Sequence, residues 1–88
     1  MDRALAAGIM AHINKVTRSI ETPDGTRCVD LFRRPDTSFG FEEYRRDPED
    51  TSGWFPIGFH GEATFPTEAA ALAEARQRIG WLAMVLDW

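Results

Sequence analysis

Thr22-Pro23-Asp24-Gly25-Thr26 and Arg34-Pro35-Asp36-Thr37-Ser38 bracket the run Arg27-Cys28-Val29-Asp30-Leu31-Phe32-Arg33. The two brackets share one form. Proline presets φ for the first turn position, aspartate bonds forward to the backbone, and Gly25 supplies φ > 0 at the third position. Each bracket predicts a hairpin, so the run between them is the middle strand of a meander. On a three-residue loop the first hairpin pairs Ile20 with Cys28, Arg18 with Asp30 and Val16 with Phe32. The second pairs Leu31 with Phe41 and Arg33 with Phe39. Thr37 suits φ > 0 less well than Gly25 does, which leaves the register of the second turn the more open of the two.

These registers sort the strand residues onto two faces. Val29, Leu31, Phe39 and Phe41 share one, and Val16, Ile20, Cys28, Phe32 and Tyr44 share the other. Neither face is polar enough to lie open to water, so both call for a cover. A fourth strand is expected around Trp54 to Phe59, where Phe55, Ile57 and Phe59 alternate with Trp54, Pro56 and Gly58. Pro56 donates nothing to a ladder, which puts this strand at an edge or breaks the pairing there.

Phe65-Pro66-Thr67-Glu68 reads as a helix start, with Thr67 as N-cap and Glu68 favourable to the positive end of the dipole. Leu72, Ala75, Ile79, Leu82 and Leu86 follow at spacings of three and four. Gly80 offers a stop, but the stripe continues in phase, which extends the helix to about Val85. In this reading Leu72 and Ile79 face Leu31, Phe41, Phe55 and Ile57. At the other end Leu5, Ile9, Ile13, Val16 and Ile20 also fit a helix, yet the first turn requires Val16 and Ile20 in a strand. The expectation is a short helix from Asp2 to about Ile13 and a strand from about Lys15 to Glu21. Residues 1-88 then form one small α+β domain of order αββββα, a four-stranded antiparallel meander with the C-terminal helix on one face.

With 43% hydrophobic and 27% charged residues the chain is too apolar for disorder. A net charge of -4 argues against a polyanionic partner. No apolar run approaches the roughly 20 residues of a membrane span. The opening Met1-Asp2-Arg3-Ala4-Leu5 lacks a basic leader, and the expected location is cytoplasmic. A lone cysteine, Cys28, excludes an internal disulfide and a multi-cysteine zinc site.

The acidic charge concentrates between Phe39 and Pro66, with two basic and six acidic residues. Asp47, Glu49 and Asp50 are candidate oxygen ligands for a hard cation, but Asp47-Pro48 followed by two acids is also a capped turn, and the spacing lacks the alternation of a calcium loop. His60 precedes Gly61-Glu62 in a loop and is a candidate base or ligand, although His12, the other histidine, forms no ligand pair with it in sequence. Cys28 sits mid-strand, where a free thiol behaves as a small buried hydrophobe. Phosphate-loop, dinucleotide and serine-elbow motifs are absent from the sequence.

Arg33, Arg34, Arg45 and Arg46 lie among Phe39, Phe41 and Tyr44, a mixture that suits base stacking. Glu42, Glu43 and Asp47 to Asp50 interrupt it, and cross-strand ion pairs are the simpler expectation. A helix, strands, helix order resembles the double-stranded RNA-binding fold in element order alone. That fold's final helix starts with phosphate-gripping basic residues, whereas this one starts Thr67-Glu68-Ala69-Ala70-Ala71. No nucleic-acid or membrane partner is expected.

What remains is apolar surface. Ile9, Ile13, Phe32, Trp54, Trp81, Val85, Leu86 and Trp88 are the candidate contacts for a protein partner or a second copy. The sequence therefore reads as a non-catalytic interaction or accessory module that forms a homodimer, without cofactor, metal or catalytic residues. The alternative is a small ligand- or metal-binding protein using Asp47, Glu49, Asp50 and His60.

Overall fold

The computed structural model describes residues 14–49 and 53–86. Four strands pair in chain order, each antiparallel to the next: β1 (Lys15–Glu21), β2 (Arg27–Arg33), β3 (Phe39–Arg45) and β4 (Phe55–Ile57). Two helices follow, α1 (Glu68–Arg78) and α2 (Gly80–Leu86). The α+β class and the antiparallel meander stand as expected. The helix expected from Asp2 to Ile13 lies outside the described residues.

The two turns close differently. Pro35-Asp36-Thr37 makes the three-residue loop: Arg34 N–H donates to the Ser38 carbonyl at 2.8 Å, and Thr37 takes φ 71°. Leu31 accordingly pairs with Phe41, and Arg33 with Phe39. Between β1 and β2 the loop has one residue more, because Thr22 N–H reaches the Arg27 carbonyl at 3.0 Å while the Thr26 carbonyl accepts Arg46 N–H at 2.9 Å. Asp24 Oδ1 holds Thr26 in the loop through its N–H (3.0 Å) and hydroxyl (2.8 Å).

That extra residue corrects the first register. Ile20 pairs with Val29, not Cys28, and a one-residue slip exchanges faces. Ile20 therefore joins Val29 and Leu31 in the core, and Ser19 stands opposite Asp30. An irregularity between Val16 and Arg18 then absorbs one residue and restores the expected pairing of Val16 with Phe32.

The helices cover the face of Val29, Leu31 and Phe41, all fully buried. The Thr67 hydroxyl caps α1 by accepting Ala70 N–H at 3.0 Å. The single helix expected to Val85 is broken at Ile79, whose φ of −113° and ψ of 100° are extended. Glycine is a poor helix former, so Gly80 weakens the chain where the turn would continue. The break allows both Ile79 and Leu82 to be buried. Ala71 and Ala75 are the closed positions of α1, and their small side chains let it lie close to β2 and β3; Leu72 packs only at the margin.

The fourth strand is shorter than expected. Gly58 (φ 85°) and Phe59 (φ 55°) are both left-handed and turn the chain off the β3 edge after Ile57. Pro56 lies on this edge, as its missing N–H requires. Phe55 and Ile57 stay outside the core cluster, which corrects the expectation that they face Leu72 and Ile79. Phe55 instead carries the Arg45 guanidinium 5.5 Å from its ring centre.

Candidate functional site

Strand alternation sends Glu43 to the helix-covered side of β3 with Phe41 and sends Glu42 the other way. Glu43 is buried, and two segments converge on its carboxylate. Trp81, in the first turn of α2, donates its indole Nε1–H to Oε2 at 3.0 Å. His60, beyond β4, places Nε2 3.7 Å from Oε1. The imidazole is buried and stacks on Phe41, with ring centres 5.0 Å apart. Gly58 makes room for it, since a Cβ there would fall 2.4 Å from His60 Nε2.

Glu42 is held at the same loop. Burial raises its carboxyl above the ordinary glutamate value, against the lowering effect of the His60 backbone N–H, the imidazole and the Gly61 N–H. Glu42 Oε1 and His60 Nδ1 are buried and have no hydrogen-bond partner among the described residues. Among the described residues the His60 imidazole thus meets a carboxylate and an aromatic ring. This arrangement ties the loop after β4 to the start of α2.

The described members of the candidate ligand set, Asp47, Glu49 and His60, lie in separate settings. Asp47 Oδ1 accepts Glu49 N–H at 3.0 Å in the side-chain-capped turn, His60 faces Glu43, and Asp50 lies outside the described residues. Among the described residues no group of three histidine, cysteine or carboxylate side chains is placed to hold a metal ion. Cys28 is fully buried, and its thiol donates to Asp30 Oδ1 at 3.3 Å beside the Ser19 hydroxyl. Among the described residues Arg34, Arg45 and Arg46 turn to rings and carbonyls where carboxylates were expected. Arg46 lies 4.6 Å over Trp54 and donates to the Gly25 carbonyl at 2.9 Å, and Arg34 lies 4.9 Å over Phe32.

Of the candidate contact residues, Ile9, Ile13 and Trp88 are outside the described residues, and Phe32 is buried. Trp54 is half-buried under Arg46, while Trp81, Val85 and Leu86 pack against the core. Among the described residues the most exposed large apolar groups are Phe59 (96%) and Met84 (76%), ahead of Phe55 and Val16. Phe59 immediately precedes His60, and Met84 lies about one helical turn beyond Trp81, so both belong to segments that Glu43 joins. Sequence reasoning passed over Phe59 because it extends the alternation of Phe55 and Ile57. Its setting in Gly58-Phe59-His60-Gly61 was the available signal. Comparison of the chain with protein-family models, curated proteins and solved structures gives no match.

Proposed function

We propose that the chain is a non-catalytic interaction module that pairs with a second copy of itself through the surface around Phe59 and Met84. One observation carries this reading: Phe59 is at once almost wholly exposed and held at φ 55°. A bulky residue in the left-handed region is strained, and burying a phenyl ring is worth about 1.5–3 kcal/mol. Exposure and strain at one residue support a contact role. The adjacent edge strand carries Pro56 and has only three residues, which favours side-chain docking over strand addition. A two-fold pair brings two copies of Phe59 into one interface. A cytoplasmic setting belongs to the same proposal and draws on the single cysteine. The test is the concentration dependence of the mass in solution, compared between the native chain and Phe59→Ser.

A second reading, small-ligand or metal binding, draws support from the buried and unpartnered atoms Glu42 Oε1 and His60 Nδ1. Calorimetric titration with zinc, calcium and manganese tests it. A stoichiometric isotherm abolished by His60→Gln supports it, and a flat titration removes it.

A further inference from the structure

A cleft of about 260 Å³ opens between the start of β1 and the β2–β3 turn, lined by Lys15, Arg33, Arg34 and Pro35. Three of these four residues are cationic in a chain of net charge -4. Lys15 and Arg33 are direct cross-strand partners, a pairing that like charges disfavour. Neither has an ion pair among the described residues. Arg34 is fixed in place by donating to Ser38 Oγ (3.3 Å) and to the carbonyls of Phe39 (3.1 Å), Gly61 (2.6 Å) and Ala63 (3.2 Å). All four acceptors are neutral, so they leave the charge of Arg34 in place while occupying its Nη hydrogens, and the donors open to a ligand are those of Lys15 and Arg33. Two carboxylates on adjoining described segments, Asp36 and Glu68, are hydrogen-bonded to neutral donors and make no ion pair with Lys15 or Arg33. Asp36 feels the Arg34 charge but accepts from Ser38 N–H (2.9 Å) and Oγ (2.7 Å), and Glu68 accepts from the Thr17 hydroxyl at 2.7 Å.

We propose that this cleft binds a small oxyanion of the phosphate class, either free phosphate or a small phosphate monoester. A phosphate offers several acceptor oxygens to guanidinium and ammonium donors at once, and its double charge offsets the Lys15 and Arg33 repulsion. The cluster is a single local patch, whereas a nucleic-acid strand draws its affinity from many phosphate contacts. The inference stands independently of self-association.

The experiment is a ¹⁵N–¹H NMR titration of the full chain with inorganic phosphate and with phenyl phosphate, against sodium chloride at matched ionic strength. The expected result is saturable shifts confined to Lys15 and residues 33–38, with a Kd of about 1 mM or tighter for the better ligand. The exposed double variant Lys15→Ala with Arg33→Ala weakens binding at least about tenfold while the remaining spectrum is retained. Tighter binding of phenyl phosphate assigns the site to a monoester, and equal or tighter binding of inorganic phosphate assigns it to the free ion. Shifts that stay linear, that sodium chloride reproduces, or that survive in the double variant overturn the proposal. Tighter binding of a short oligonucleotide than of both probes, at the same residues, also overturns it.

Discussion

Trp81 Nε1–H donates to Glu43 Oε2 at 3.0 Å, joining the first turn of α2 to the third strand across the helix–sheet boundary. The same carboxylate has His60 on its other oxygen, so one buried acid meets both the loop after β4 and the second helix. Trp81→Phe keeps the aromatic packing and removes the donor. Leaving a buried carboxylate oxygen without its partner should cost about 1–3 kcal/mol in urea unfolding. A change below half of the lower figure would show that the indole bond is not a structural tie.

The two turns provide a reciprocal pair of variants. Thr37 occupies φ 71° and Gly25 φ 73°, so the same backbone conformation is met once by a β-branched residue and once by glycine. Thr37→Gly should stabilise the chain by up to about 1 kcal/mol, and Gly25→Thr should destabilise it by about 1–2 kcal/mol. Thermal unfolding of both variants checks this. Equal effects of one sign would mean that left-handed strain does not separate the two sites.

This pair also shows where the sequence was legible. Proline and aspartate marked both hairpins, and the second register, the more open of the two in sequence, is the one that a three-residue loop gives. The first is not, because Thr22 N–H bonds the Arg27 carbonyl and closes a loop of four residues where the Pro-Asp-Gly pattern suggested three. Ile20 changes face as a result. The helix stripe located Ile79 and Leu82 in the core, but its unbroken phase masked the stop that Gly80 offers, and the break falls there. At the site, His60 and Trp81 were each singled out separately. Glu43, the group that joins them, was hidden in a charge run that also reads as a solvated face.

Glu42 makes stability depend on acid in a direction opposite to most paired carboxylates. Its folded-state value is raised above the ordinary glutamate value of 4.5, with burial as the leading cause. The folded chain therefore holds that proton more firmly than the unfolded chain does. The associated stability is fully present below about pH 4.5 and is lost as pH rises through the raised value. Asp24 and Asp36 act in the other sense: both are lowered from 3.8 by side-chain hydrogen bonds, so their contribution is present above that value and lost as pH falls through the lowered values. Glu42→Gln should remove the loss on the alkaline side of pH 4.5 and leave the acid limb unchanged. Denaturant midpoints measured from pH 3 to pH 8 give the comparison, and an unaltered profile in the variant would remove Glu42 from the account.

The central claim is self-association through Phe59 and Met84, and sedimentation equilibrium tests it most directly. The native chain should give a mass of about twice 9.9 kDa at micromolar concentrations. Phe59→Ser and Met84→Glu should each return the mass to 9.9 kDa while keeping the native far-ultraviolet dichroism. A native chain that stays at 9.9 kDa up to about 100 μM, or a dimer that survives both substitutions, would contradict the claim.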